Sequence, residues 1–353
     1  MSTGNDTVIK AATWQTPWGA HPSLELDNGA LVVTLLPQFG GKIVSIRRSS
    51  DSAEFLLQPQ QPYRAPGIAD DFANSDRGGF DDCFPSVSPI RHGDEISTPD
   101  HGDLWRLPWK ASSIGDSIVL TVDAVSVPVT VQRRISLKAQ TLHFDYDLHN
   151  FGNTRTSFLY AAHPLLQVEQ GDRVLLPAEV ERVRLEGWNL DDRPPGTFLD
   201  WPITALQPSG VLYDLSSVGP SDGISAAKIF AGPFKTGRAG LYRPKLRTGV
   251  IISFNAQQLP YLGLWISHGA WPMESAPTGH YTVAIEPTTA PYDSAEKAES
   301  AGLATVLDPG SSMSWRYSLS IAEVRDIGEF HRALEPETSQ AAASSPSAPP
   351  CLG

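Results

Sequence analysis

Apolar and polar residues alternate along many short segments of the chain, which is the pattern of strands that bury one face. In Thr141–Leu148 the apolar residues Leu142, Phe144, Tyr146 and Leu148 are separated by single polar residues. A period of two places the apolar side chains on one face of a strand and the polar ones on the other. Alternation or a short apolar run predicts further strands at Ala30–Leu36, Lys42–Ile46, Ser117–Val122, Val127–Ile135, Val174–Pro177, Arg182–Leu185, Lys228–Ala231, Gly249–Phe254, Tyr261–Ile266 and Met313–Ile321.

The apolar run Phe158–Leu166 contains one titratable side chain, His163, which is followed by Pro164. A short run rich in aromatic and aliphatic residues predicts a buried strand, and the proline favours extended backbone at the histidine. We therefore expect the imidazole where a buried strand ends. The strand that begins at Tyr281 has the same arrangement, with Glu286 before a proline.

An acid and a base, each alone in apolar surroundings, are the groups that proton-transfer chemistry requires. A lone histidine at the end of a strand is more often a hydrogen-bonded structural residue. A second such residue, Glu286, and a further histidine motif upstream favour the catalytic interpretation of His163.

Few segments are typical of helices. Asp293–Ala301 has an acidic start, helix-forming residues and a stop at Gly302, and Ile327–Leu334 predicts a second short helix. With 30 prolines and 29 glycines, many short strands and few helices predict an all-β class, a large antiparallel sandwich. We expect one domain over residues 1–336 and a disordered tail over 337–353, which lacks the apolar residues needed for order.

Composition narrows the possible partners and compartment. The net charge of −12 over 353 residues argues against nucleic acid and anionic membranes as partners. No apolar run approaches the roughly 20 residues that span a bilayer, and Met1–Asp6 shows no start of a secretory signal. The two cysteines, Cys83 and Cys351, are poor candidates for a disulfide, so we expect a reducing, cytoplasmic setting.

Metal and cofactor chemistry find little support in the motifs. The polar face formed by His143, Asp145, Asp147 and His149 resembles a row of ligands, but a solvated strand face has the same appearance. The acidic segment Asp70–Asp82 does not fit a calcium loop. Phosphate loops, zinc-protease helices and nucleophile elbows are absent from the sequence. We expect no metal and no cofactor.

Four ordered motifs carry a resemblance to a known family. They are Gln38-Phe39-Gly40-Gly41-Lys42-Ile43, Pro99-Asp100-His101-Gly102, Ala162-His163-Pro164 and Ile285-Glu286-Pro287. Together they resemble the aldose 1-epimerase family, the galactose mutarotase-like sugar enzymes, and the resemblance covers roughly Ala30 to Ile321.

The resemblance implies a galactose mutarotase-like β-sandwich with a sugar site on its concave face. It also implies that His163 is the general acid, Glu286 the general base, and His101 a residue that holds the sugar. Such an isomerase interconverts α and β anomers: the base takes the proton of the anomeric hydroxyl while the acid protonates the ring oxygen. Two positioned groups suffice for this reaction without a cofactor.

Further residues are candidates for contacts with the sugar. Trp265 and Trp271 could stack on ring C–H groups, or they are ordinary core aromatics. Arg77, Asp81 and His268 could bind hydroxyl groups, although each alone is also typical of a solvated loop. We include Trp265, Arg77, Asp81 and His268 with His101 in the predicted substrate site.

Two departures from the family pattern leave the identity of the sugar open. The segment Gly79–Pro85 resembles some branches of the family but lacks the asparagine-arginine pattern of typical galactose mutarotases. The middle segment that carries a substrate-binding aspartate in those enzymes is shortened here to Glu186–Asp192.

Other functions stay open at this point. A hexose-phosphate 1-epimerase would need a basic clamp, for which Arg64, Arg77 and Arg106 are the nearby arginines. A non-catalytic carbohydrate-binding protein could keep the sandwich and its groove. Elimination or hydrolysis of glycosides has less support, because an acid–base pair does not specify the bond that breaks. Both a monomer and a homodimer are compatible with the sequence.

Overall fold

The computed structural model describes residues 6–273 and 279–335, so the predicted tail at 337–353 lies outside the described residues. The described chain forms these strands: β1 Val8–Thr16, β2 Gly19–Asp27, β3 Leu31–Leu36, β4 Lys42–Arg48, β5 Phe80–Cys83, β6 Ile90–His92, β7 Glu95–Thr98, β8 Lys110–Ile114, β9 Ser117–Asp123, β10 Val129–Lys138, β11 Thr141–Asn150, β12 Thr156–Phe158, β13 Ala161–Gln167, β14 Arg173–Leu175, β15 Arg182–Trp188, β16 Phe198–Asp200, β17 Ile203–Ala205, β18 Leu212–Asp214, β19 Ala226–Ala231, β20 Gly237–Arg243, β21 Thr248–Phe254, β22 Tyr261–His268, β23 Tyr281–Thr288, β24 Thr305–Leu307 and β25 Ser312–Glu323. Its helices are a 3-10 turn at Phe72–Asn74, α1 at Ala295–Ser300 and α2 at Ile327–Leu334. None of them has the length and apolar character that crossing a membrane requires.

Two large antiparallel sheets pack face to face. The first sheet has eleven strands in the order β1-β2-β3-β4-β5-β13-β23-β22-β19-β15-β16, and the second has eight in the order β14-β20-β21-β25-β11-β10-β9-β8. Apolar side chains of both sheets form one main core, in which the rings of Phe80 and Phe144 lie 5.2 Å apart. The predicted all-β sandwich is therefore confirmed.

The alternation in β11 predicts its two faces correctly. Leu142, Phe144, Tyr146 and Leu148 are buried, whereas the intervening residues are half-buried or exposed. Both predicted helices form, and α1 begins after Ser294, whose side chain accepts a hydrogen bond from an amide of the first turn.

One expectation from the apolar run was wrong. Residues 158–166 do not form a single strand: β12 ends at Phe158 and β13 begins at Ala161. His163 and Glu286 lie inside β13 and β23 and not at strand ends, because the strands continue through the following prolines. Proline lacks the N–H of a ladder bond but tolerates extended backbone, and β13 keeps its pairing with β23 on both sides of the interruption.

A buried polar network joins the two sheets at β5. The carboxylate of Asp82 accepts a hydrogen bond from Arg133 at 2.6 Å and others from the hydroxyls of Tyr146 and Tyr160 at 2.8 and 2.7 Å. Arg133 and Asp82 are both fully buried, and the guanidinium lies over the ring of Trp109. The network ties β5 and the start of β13 to β10 and β11 of the other sheet.

Asp82→Asn leaves the Arg133 guanidinium buried without its counter-charge, so we expect the free energy of unfolding to fall by about 3–5 kcal/mol. Asp308→Asn is the matched control, because Asp308 pairs with Arg155 where both side chains are exposed and such pairs contribute about 1 kcal/mol or less. Urea denaturation followed by fluorescence measures both. Equal losses in the two variants would contradict a structural role for the network.

Candidate active site

The candidate site is built on one row of residues that crosses the first sheet. Asp81 in β5 pairs with His163 in β13, and Glu286 in β23 pairs with Gly263 in β22. The pairs Ala161↔Thr288 and Leu165↔Ala284 lie symmetrically about His163 and Glu286. Continuing this register places these two side chains opposite each other on adjacent strands, and facing partners share one face of a sheet.

A cavity of about 170 Å³ opens on this face. Its lining combines aromatic, imidazole and charged side chains: Phe72, Val87, His101, His163, Lys228, Trp265, Trp271, His280, Glu286 and Asp293. Of the predicted site residues, the structure thus brings Glu286, His163, His101 and Trp265 together around one space.

His101 reaches the cavity from a loop and not from the sheet. Its backbone has a φ of +58°, and Gly102 after it packs against Phe84, whose carbonyl oxygen would lie 2.0 Å from an added Cβ. Only glycine fits that approach, which fixes the loop and therefore the imidazole. The ring of His101 stacks on Phe72 at 4.5 Å and lies 5.2 Å from the ring of His163.

Glu286 is held by a cation that the sequence analysis did not identify. The Nζ of Lys228 donates a hydrogen bond to Oε2 of Glu286 and lies 3.6 Å from Oδ1 of Asp293. Gly263 makes room for this pair, because an added Cβ would lie 2.7 Å from Oε2. Lys228 stands alone among apolar residues in β19, which was the available signal for a functional lysine.

The charges of this pair shift each other's pKa. Burial raises the pKa of Glu286, and Lys228 opposes that rise without cancelling it. Burial also opposes the charge on Lys228, but the carboxylates of Asp293 and Glu286 outweigh it and hold its pKa above the usual value. The carboxylate therefore has one oxygen fixed by a cation, while Oε1 accepts no hydrogen bond from the described residues.

Two of the three cavity histidines, His163 and His101, have opposite electrostatic environments. Burial, with the nearby cations, holds the pKa of His163 well below its usual value. Burial acts in the same direction on His101, but the Asp100 carboxylate, 3.1 Å from Nδ1, outweighs it and raises the pKa of His101. Of the two, His101 is the group that carries a proton more readily.

His280 is a further cavity residue that sequence reasoning missed. Burial lowers its pKa to about 3, so it is neutral, and its Nε2 lies 3.0 Å from the carbonyl oxygen of Arg77. Its ring lies 4.9 Å from that of Trp271. It follows residues 274–278, which lie outside the described part of the chain, and no neighbouring motif marks it.

Three residues predicted to contact the sugar do not line the cavity. Asp81 is 1% exposed, and its carboxylate lies 3.2 Å from the Nζ of Lys42; burial raises its pKa to about 7. His268 accepts a hydrogen bond from the amide of Gly219 at its Nε2. The side chain of Arg77 is buried, and its carbonyl oxygen lies 3.0 Å from Nε2 of the cavity residue His280. A loop or strand position alone does not reveal such burial, because it depends on packing against distant segments.

The arginines considered for a phosphate clamp are not assembled at the cavity either. Arg64 pairs with Asp70 at 3.3 Å on the surface. Arg106 donates to the carbonyl of Pro66.

Among the described residues, one group of potential metal ligands lies close together. It is neither of the two candidate metal sites that the sequence suggested. Ligand atoms of Cys83, His101 and His163 all lie within 4.8 Å of one another. The polar face of β11 and the segment 70–82 contain no comparable group in the described structure.

Lys228→Met removes the cation that opposes the burial of Glu286, so we expect the pKa of Glu286 to rise further. Carbon-13 NMR titration of protein labelled at the glutamate carboxyls measures this, with the Glu286→Gln spectrum identifying the resonance. Lys297→Met, at an exposed lysine of α1, should leave that titration unchanged. If the titration midpoint of Glu286 is the same in Lys228→Met as in the unmodified protein, the ion pair does not set the pKa of this carboxyl.

Comparisons with known proteins agree with this architecture. A family described as a domain of unknown function, DUF4432, matches residues 219–321, the part that contains Lys228 and Glu286. No curated protein matches the chain.

Solved structures match over nearly the whole chain. A galactose mutarotase-like protein from Clostridium acetobutylicum is 16% identical with a TM-score of 0.59, over 90% of this chain and 99% of that one. Another from Lactobacillus casei is 16% identical with a TM-score of 0.60, over 85% and 100%. A candidate aldose 1-epimerase from Klebsiella pneumoniae is 12% identical with a TM-score of 0.68, over 94% and 89%. The resemblance carried by the motifs is therefore confirmed at the level of the fold: the chain has the galactose mutarotase-like β-sandwich.

Proposed function

We propose that this chain is an aldose 1-epimerase, a cytoplasmic isomerase that interconverts the α and β anomers of a free hexose. The observation that carries the proposal is the position of Glu286 and His163, opposite each other on adjacent strands at the wall of one cavity. A carboxylate and an imidazole on two sides of a small space suit the two ends of a hemiacetal, its anomeric hydroxyl and its ring oxygen.

Glu286 serves as the base in this proposal. Lys228 fixes Oε2 and keeps the buried carboxyl closer to its ionised form, while Oε1 has no donor among the described residues. That oxygen takes the proton of the anomeric hydroxyl. The bond from C1 to the ring oxygen breaks as the C1–O bond becomes a carbonyl.

The histidine pair supplies the proton for the ring oxygen. His163 is our candidate for the acid because it faces Glu286, but its low pKa leaves it neutral most of the time. Asp100 raises the pKa of the neighbouring His101, which makes His101 the better carrier of a proton, and that proton can pass from His101 to His163 through an intervening hydroxyl or water. Moving a proton between two imidazoles leaves the total charge of the site unchanged.

The rest of the cycle follows from reversibility. The open-chain aldehyde rotates about its C1–C2 bond, and the ring closes as the same groups run their transfers in reverse. Trp265 and Trp271, whose rings lie 5.6 Å apart edge to face, offer the apolar surface on which sugar C–H groups lie.

A free sugar fits this cavity better than a phosphorylated one. Arg64, Arg77 and Arg106 do not line the cavity, and its lysine, Lys228, is already paired with two carboxylates. A phosphate would therefore meet no unpaired cation among the described lining residues.

Glu286→Gln removes the base while keeping the shape of the side chain, so we expect anomer exchange to slow by about 10²–10⁴-fold. NMR exchange spectroscopy over a panel of free hexoses and their 6-phosphates measures the rate and the substrate class. Glu296→Gln, at an exposed residue of α1, is the control and should be as fast as the unmodified protein. Saturable sugar binding with no acceleration by the unmodified protein would instead favour a non-catalytic carbohydrate-binding protein.

Asp100→Asn tests the role of His101. Asp100 holds the pKa of His101 above its usual value, so the imidazolium is lost only when the pH rises through that raised pKa. The variant lowers this pKa, and the alkaline limb of kcat/KM should move to lower pH while the acid limb set by Glu286 stays in place. The amide oxygen of asparagine can still accept the hydrogen bond that Asp100 receives from the Phe72 amide.

The control for this profile is Asp116→Asn, which changes an exposed carboxylate in a turn. An alkaline limb that does not move in Asp100→Asn would refute the need for protonated His101.

A further inference from the structure

We propose that Cys83, His101 and His163 form a binding site for a divalent transition metal of the Zn²⁺ type at the candidate active site. The expectation from the sequence was that the chain holds no metal. Metal binding by these residues does not depend on the proposed epimerase activity and is tested without it.

Strand geometry explains how the thiol joins the two imidazoles. Cys83 lies two residues after Asp81 in β5, so both side chains project from the same face, and Asp81 is the partner of His163. Cys83 itself pairs with Ala161, two residues before His163. The thiol is therefore a diagonal neighbour of the imidazole, and the His101 loop approaches the same point.

The three ligand atoms are close enough for one ion. They lie within 4.8 Å of one another, whereas tetrahedral zinc with bonds of about 2.0–2.3 Å brings ligand atoms to roughly 3.3–3.7 Å. Side-chain movements of about 1 Å close that difference, which is within rotamer adjustment and needs no change of the strands.

Two observations, one on each histidine, point to a ligand at this position. The Nδ1 of His163 is buried without a hydrogen-bond partner among the described residues, although the residue is only 5% exposed. Buried imidazole nitrogens are normally satisfied. The Asp100 carboxylate lies 3.1 Å from Nδ1 of His101, and a carboxylate in this place orients metal-binding histidines and leaves Nε2 for the ion.

The donor set selects the class of metal. One thiolate and two imidazoles favour Zn²⁺ or Co²⁺ over the hard cations Mg²⁺ and Ca²⁺. On binding, the S–H bond of Cys83 breaks and the metal-binding nitrogen of His101 gives up the proton it carries as an imidazolium. These protons go to the buffer, and the sulfur and the imidazole nitrogens bond to the metal without change of oxidation state. Three protein ligands leave a fourth position for water or a bound hydroxyl.

The surrounding charges also suit a divalent cation. Glu286 and Asp293 line the same cavity, and the Asp100 carboxylate contacts Nδ1 of His101. Lys228 opposes the ion, but its charge is already shared between Glu286 and Asp293. The local excess of carboxylates attracts a metal ion into the cavity.

Bound metal should stop anomer exchange, and this consequence rests on the proposed function. Coordination takes the imidazole lone pairs of His101 and His163, which the proposed mechanism needs for carrying protons. Inhibition by Zn²⁺ and restoration by a chelator would follow.

The test of the site uses Co²⁺ as a spectroscopic probe on the full chain after dialysis against a chelator. We expect one equivalent of Co²⁺ to produce a thiolate-to-cobalt charge-transfer absorption that Zn²⁺ then abolishes. Cys83→Ser should lose this absorption and weaken Zn²⁺ binding, measured by competition with a chromophoric chelator, by at least about tenfold. Cys351→Ser, at the other cysteine of the chain, is the matched control and should retain both.

Two outcomes would overturn the proposal: Co²⁺ binding without thiolate absorption in the unmodified protein, or Zn²⁺ affinity that is unchanged in Cys83→Ser. His163→Gln provides a second variant with the thiol intact, and it too should lose at least about tenfold in affinity. Circular dichroism checks the fold of each variant. Metal binding with this signature in a protein that lacks epimerase activity would support the site and refute only the proposed function.

Discussion

The structure depends on the buried contact between Asp82 and Arg133, which lies between the sheets with no exposure to solvent. A buried ion pair is stabilised when its remaining polar atoms are also bonded. Two tyrosine hydroxyls donate to Asp82, and the carbonyl of Gly41 accepts a further hydrogen bond from Arg133. Because alternate residues of a strand face opposite ways, holding Asp82 inward turns Asp81 and Cys83 to the other face of the sheet, where Asp81 meets Lys42 and Cys83 meets His101 and His163. The network of the core thereby sets the geometry of the candidate site.

Charge in the cavity is organised by pairing. Lys228 bridges Glu286 and Asp293, and on the same sheet face Lys42 bridges Asp76 and Asp81. Each lysine allows a carboxylate to stay in a region from which water is largely excluded, since an unpaired charge there would be strongly unfavourable. The histidines are the groups left with a nitrogen that can either exchange a proton or bind a metal. The proposed acid–base chemistry uses the first property, and the proposed metal site uses the second.

The local pattern of apolar and polar residues predicted the presence of strands and helices better than the residues at which they begin and end. The alternation of β11 and the capped helix α1 are visible in the sequence because side-chain period and capping are local properties. The hairpin of β1 and β2 was not predicted, and in β1 the residues are exposed or only half-buried, so their apolar content is a weak signal. The division of 158–166 into two strands depends on pairing with different partners, β24 for the first and β5 and β23 for the second, which no local pattern contains.

The sequence by itself determined the all-β class, the resemblance and the separate motifs around His101, His163 and Glu286. Only the tertiary structure decided that these motifs surround one cavity, that Lys228 joins them, and that Asp81 and His268 are turned to other partners. The physical reason is that the spacing of apolar and polar residues indicates only the local backbone conformation. Burial, ion pairing and pKa depend instead on which distant strand lies beside a residue. A site assembled from four strands and the segments that connect them is therefore a property of sheet order and register.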